Sequence, residues 1–158
     1  MRLRCVIGLI LGLTGCLSPR TFSNRTVDAT ADPSWWGQLA KGEVLQLNRD
    51  ALLGGGGLNL GAWIVTGANG AGEKVSVEQY KAEPSRYARW SLHLLSKGTR
   101  LRCVSIKRFF SFEYSAYKVY AEVLDGEYQG TLTSIPVIGD PNTKGALRLN
   151  AQFLEPVK

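Results

Sequence analysis

The run Tyr117-Lys118-Val119-Tyr120-Ala121-Glu122-Val123 constrains the fold more than any other stretch of this chain. Tyr117, Val119, Ala121 and Val123 alternate with Lys118, Tyr120 and Glu122, and a period of two puts successive side chains on opposite faces of a strand. One face is therefore apolar and the other polar, with Asp125-Gly126 closing the strand in a turn. The expected partner is Arg100 to Phe110. There Leu101 and Cys103 alternate with Arg100 and Arg102 before Val104 and Ile106 take up the opposite parity, so a bulge is predicted near Cys103-Val104.

Other short apolar runs repeat the pattern. Val44 to Leu53 reads as a strand interrupted near Asn48, and Gly54 to Gly57 cannot hold a regular element. Leu58 to Thr66 returns to strand composition, which makes a hairpin across the glycines. The stretch Gly67 to Lys74 fails as a phosphate loop, because Glu73 separates Lys74 from the last glycine and Val75 stands where a hydroxyl is needed; Asn69-Gly70 is read as a turn. Tyr128 to Ile138 is another strand, and Ala146 to Leu154 a last one, with Leu147, Leu149, Ala151 and Phe153 alternating. Only Val75 to Leu95 has helical spacing, and Pro84 places one short helix from about Ser85 to Leu95. Leu39-x-Lys41-Gly42-x-x-Leu45 recurs as Leu95-x-Lys97-Gly98-x-x-Leu101, a shared way of turning into a strand. The sum is a mainly β chain, a small antiparallel barrel or curved sheet with one short helix.

The N-terminus carries a different kind of information. Arg2 and Arg4 precede an apolar run from Cys5 to Leu13, which is too short for a membrane span of roughly 20 residues but suits the apolar core of an export signal. Leu13-Thr14-Gly15-Cys16 then resembles the lipobox of bacterial lipoproteins at all four positions. The resemblance implies cleavage before Cys16, a diacylglyceryl thioether on its sulfur, and often a further acyl chain such as palmitate on the new amino group. Two or three chains anchor a protein stably where one does not. With Leu17 rather than aspartate after Cys16, it also implies the outer membrane, facing the periplasm, in an organism that has one. An ordinary cleaved signal with Cys16 at the junction is the alternative.

Domain organisation follows: residues 1–15 as signal peptide, 16–34 as a lipidated disordered tether with little to bury, and 35–158 as a single β-rich domain. Cleavage removes Arg2 and Arg4 and lowers the formal net charge from +6 to +4. Of the three cysteines, Cys5 is lost and Cys16 is committed to lipid, so no internal disulfide is available and stability must come from packing. Cys103 reads as a small buried residue.

The segment from Gly98 through Tyr120 to Gly130, with its long hairpin followed by Gly126-Glu127-Tyr128-Gln129-Gly130, resembles SH3-like small β-barrels over about a third of the mature chain. Gly54 to Pro84 is an insertion relative to that pattern.

Candidate chemistry is sparse. His93 is the only histidine, and neither a metal-spaced cluster nor any cofactor motif is present in the sequence. A nucleophilic pair of His93 with Cys103 requires an exposed thiol, which the apolar neighbours of Cys103 argue against, so no catalytic residue is assigned. The ligand-binding candidates are Arg100, Arg102, Lys107, Arg108, Phe109 and Phe110, a basic and aromatic hairpin suited to an envelope protein or an anionic cell-wall polymer. In the bland alternative the arginines are solvated and most rings are core. Nucleic acid is not expected for an exported, anchored protein. The adjacent indoles Trp35 and Trp36 either lid the end of the fold or turn one ring toward a ligand or headgroups. The expected function is non-enzymatic: a lipid-anchored envelope protein whose β-domain binds or assembles with another component. A carbohydrate- or peptidoglycan-binding module is the alternative, and a hydrolase using His93 a more remote one.

Overall fold

A computed structural model describes residues 24–54, 57–59, 62–66, 72–87, 90–111 and 113–157. The signal segment, Cys16 and the Asn69-Gly70 turn lie outside them. Chain order runs β1 (Arg25–Asp28), β2 (Val44–Leu47), β3 (Ala51–Gly54), β4 (Gly57–Asn59), β5 (Ala62–Thr66) and β6 (Gly72–Ser76). Helices α1 (Val77–Ala82) and α2 (Pro84–Tyr87) follow, then β7 (His93–Leu95), β8 (Arg100–Phe110), β9 (Ser115–Val123) and β10 (Leu132–Ile135). Three short strands end the chain: β11 (Val137–Ile138), β12 (Arg148–Leu149) and β13 (Leu154–Pro156).

The main sheet is antiparallel, ordered β10-β9-β8-β2-β13, with β1 pairing beside the later half of β8. β8 and β9 form its spine because their register brings the apolar parities together: Leu101 faces Val123, Cys103 faces Ala121 and Ile106 faces Val119. The shift falls between Cys103 and Ser105, where the parity change predicts a bulge. Leu45 pairs with Leu101, and the two matching segments ahead of them turn at Gly42 and Gly98, both at φ 86°. The Leu45, Leu47, Leu101, Ile106, Val119, Val123 and Leu154 side chains are at most 1% exposed. Burial contributes roughly 1.5–3 kcal/mol for each such side chain. A second sheet, β4-β3-β7, the β5–β6 hairpin and the β11–β12 pair complete the described sheets, with Leu52, Val75, Val77, Tyr87 and Leu92 forming a smaller core. The curved antiparallel sheet is present, and no closed barrel forms among the described residues.

Four expectations need correction. The single helix over Ser85 to Leu95 is instead two short helices and a strand. Ser76 starts α1 with a capping box, its hydroxyl accepting from the Gln79 amide while the Gln79 side chain accepts from the Ser76 amide. Beyond α2, Ser91 turns to φ 49° and His93–Leu95 pairs with Ala51–Leu53, so strand pairing overrides the helical spacing. Within the stretch 16–34 expected to be a disordered tether, Arg25–Asp28 instead pairs with Lys107–Phe110 and the Ala29 amide donates to the Ile106 carbonyl. Composition missed this strand because backbone hydrogen bonds hold it rather than side-chain burial. The last strand is split at Asn150, whose carbonyl accepts from the Phe153 and Leu154 amides. The fourth correction concerns the basic hairpin.

Candidate functional site

The bulge at Cys103–Ser105 divides the six candidate residues into three groups rather than one surface. Ahead of it, Arg100 and Arg102 point away from the core and are neutralised. The Arg100 guanidinium donates to Asp125 through Nη2–Oδ1 at 2.7 Å and Nε–Oδ2 at 3.0 Å, and the Arg100 amide donates to Oδ2 at 2.9 Å. These hydrogen bonds hold the Asp125 carboxyl below its ordinary value and raise Arg100. Arg102 lies directly opposite Glu122 and meets it at 2.6 Å.

Past the bulge the parity is reversed. Arg108 and Phe110 share the side of Ile106, where the Arg108 guanidinium stacks 3.7 Å from the centre of the Trp35 ring and 4.9 Å from that of Phe110. Its Nε donates to the Pro141 carbonyl at 2.5 Å, and Tyr117, opposite Arg108, donates its hydroxyl to the Thr143 carbonyl at 2.9 Å. Burial pushes the Tyr117 phenol up. Trp36 is 3% exposed, with its Nε1 donating to the Thr30 carbonyl. Arg108, stacked between Trp35 and Phe110, and Tyr117 therefore clamp the Pro141–Thr143 turn to the sheet.

Lys107 and Phe109 occupy the outer face, together with Lys118 and Tyr120 of β9. Lys107 lies directly opposite Lys118. Like charges facing each other across a rung are destabilising, and here each ammonium takes a ring on the diagonal: Lys107 sits 5.3 Å from Tyr120 and Lys118 4.5 Å from Phe109. Phe109 packs on in turn to Tyr114 at 5.6 Å. Among the described residues neither ammonium has a carboxylate within salt-bridge distance. Asp28, opposite Lys107 on β1, gives its carboxylate to the Thr30 amide at 2.9 Å.

Lys118 and Tyr120 also form one wall of a groove of about 520 Å³, which β3, β4, β7 and the Tyr128–Ser134 segment complete. The volume falls in the range of ligand sites. His93 and Tyr128 meet inside it with ring centres 4.5 Å apart, and burial, followed by the charge of Glu127, raises the Tyr128 phenol. Gly57 is needed where β4 passes β10, since a Cβ there would collide with the Ser134 side chain. Comparison with family models, curated proteins and solved structures finds no match for the chain. The groove's own residues therefore carry the functional argument.

Cys103 is 1% exposed, and desolvation followed by the charge of Glu43 pushes its thiol up to about 12, so it remains protonated in the core. His93 belongs to the groove rather than to a helix surface. Lys118 and Tyr120 are visible in sequence as the polar parity of β9, but His93 and Tyr128 lie too far apart along the chain for any local pattern to join them.

Proposed function

We propose that this chain is a lipid-anchored protein of the cell envelope, held through Cys16, whose β-domain is a non-enzymatic module that binds another envelope component. The anchor rests on Leu13-Thr14-Gly15-Cys16 at the end of a charged-then-apolar leader. The observation that carries the binding role is the Lys107–Lys118 rung, two facing cations without a salt bridge among the described residues, beside a groove of ligand size. Leu17 favours the periplasmic face of the outer membrane in a two-membrane organism.

The direction of β1 links anchor and module. Arg25 pairs with Phe110 at the hairpin tip, so the anchoring segment joins the domain there. Nine residue steps from Cys16 to Arg25 reach at most about 32 Å. The tip is thereby kept near the leaflet that holds the lipid, and the groove stands further along β9.

Two measurements test this reading. Radioactive fatty acid should label the wild-type chain and not Cys16→Ser; equal labelling removes the anchor. Crosslinking in intact cells should capture a component that Lys118→Glu loses, and unchanged capture removes the binding face.

A further inference from the structure

The groove offers more than a general surface for binding. Its described lining joins the Lys118 ammonium to the Tyr120, Tyr128 and His93 rings and to the Ser91, Thr131 and Ser134 hydroxyl groups, with no carboxylate among them. Ser91 holds a left-handed φ of 49°, a conformation that side chains other than glycine rarely adopt, at the groove wall. Strain of that kind collects at sites where a side chain is needed in place.

We propose that the groove and the adjoining Lys107–Lys118 rung bind an anionic saccharide, a sugar unit bearing a carboxylate or a phosphate. This rests on the binding-module reading above and names the ligand's chemistry. The two ammoniums face each other across the rung, and among the described residues neither has a carboxylate within salt-bridge distance, although Asp28 on β1 feels the charge of Lys107 from further off; a carboxylate or phosphate placed between the two removes the repulsion that the bare sheet carries. The apolar C–H face of a sugar ring packs on Tyr120, Tyr128 or His93, and its hydroxyls find hydroxyl partners along the same wall.

The geometry disfavours two other anionic partners. An acidic peptide binding as an added strand needs an open sheet edge, but at the groove β4 already lies beside β10, with Gly57 close against Ser134. A bilayer surface is broad and meets convex features, whereas these cations border a recess between two sheets.

The test uses the full chain in detergent and titrates polygalacturonate, a phosphorylated dextran, neutral dextran, poly-glutamate and glycerophosphoglycerol, the soluble headgroup of phosphatidylglycerol. At low salt, at least one of the two charged saccharides should bind at least 10-fold more tightly than each of the other three probes. Lys118→Glu should weaken that binding at least 10-fold while leaving the melting temperature equal or higher, and Lys107→Gln should weaken it less. Raising the ionic strength should weaken it too. Comparable binding of poly-glutamate or of the lipid headgroup overturns the saccharide assignment, as does failure of both charged saccharides to bind. Unchanged affinity in Lys118→Glu overturns the site. If crosslinking in cells still depends on Lys118 while neither charged saccharide binds, the saccharide inference fails and the module reading stands. Loss of fatty-acid labelling is read separately and bears on the anchor.

Discussion

Arg102 faces Glu122 across one rung of the β8–β9 hairpin, and Lys107 faces Lys118 across another. The inner faces of the two halves are equivalent, with Leu101 and Val123 packed at one end and Ile106 and Val119 at the other, all fully buried. The outer faces differ. One half satisfies each arginine with a carboxylate, and the other leaves two lysines to aromatic rings. Sheet stability explains the first arrangement, because opposite charges on a rung stabilise it. It does not explain the second, which lies beside the groove where we propose that an anion binds.

The largest expected effect tests what the halves share. Leu101→Ala and Ile106→Ala, one on each side of the bulge, should each cost about 2–5 kcal/mol in urea unfolding, since both empty fully buried positions of one core. A much smaller cost for Ile106→Ala would show that the later half is not held by that core. Next in size is Arg108→Ala, which removes the Trp35 stack and the hydrogen bond to Pro141. About 1.5–3 kcal/mol should be lost, with a change in tryptophan fluorescence, and saccharide binding should persist. Loss of binding without loss of stability would return Arg108 to the ligand site.

A smaller effect sets the rungs directly against each other. Glu122→Gln should lower stability and Lys118→Gln should raise it, each by about 0.2–1 kcal/mol, because one breaks an opposite-charge pair and the other relieves a like-charge pair. Both changes should shrink in molar salt. Equal signs in low salt would dissolve the contrast between the halves.

The smallest effect is the pH dependence that the Arg100–Asp125 pair adds to the arginine half. The Arg100 hydrogen bonds hold the Asp125 carboxyl below its ordinary value, so its contribution is fully present above the unfolded value and is lost as pH falls through the folded one. Melting curves from pH 5 down to 2.5 should therefore show a slightly steeper loss for the wild type than for Asp125→Asn. Parallel curves would mean that the pair stabilises nothing. In the lysine half neither ammonium has a carboxylate within salt-bridge distance among the described residues, and the Asp28 carboxyl is held down chiefly by its Thr30 hydrogen bonds, with Lys107 a smaller contribution.

The sequence makes this hairpin legible because alternation and its break are local signals. The Tyr117 to Val123 parity states which side is buried, and the change between Cys103 and Ile106 marks the bulge. The consequence of that bulge is harder to read. It sends Arg108 and Phe110 to the clamp and Lys107 and Phe109 to the outer face, so a run that looks continuous is divided in space. β1 is missed because Arg25–Asp28 buries little, and its backbone bonds to β8 leave no compositional trace. The helical spacing of Tyr87, Trp90, Ser91 and Leu94 is overridden once His93–Leu95 finds Ala51–Leu53. The groove depends on those same long-range pairings, which bring His93 to Tyr128 and both to Lys118.

The central claim is that the Lys107–Lys118 rung gives up stability in order to hold an anion. Melting of the full chain at low salt, with and without the charged saccharide that binds, measures this most directly, since a ligand that binds only the folded state raises its melting temperature. The wild type should melt higher with the saccharide than without it, while Lys118→Glu should start at least as high as unliganded wild type and gain nothing. A Lys118→Glu chain that melts lower than wild type yet is raised equally by the saccharide would contradict the account.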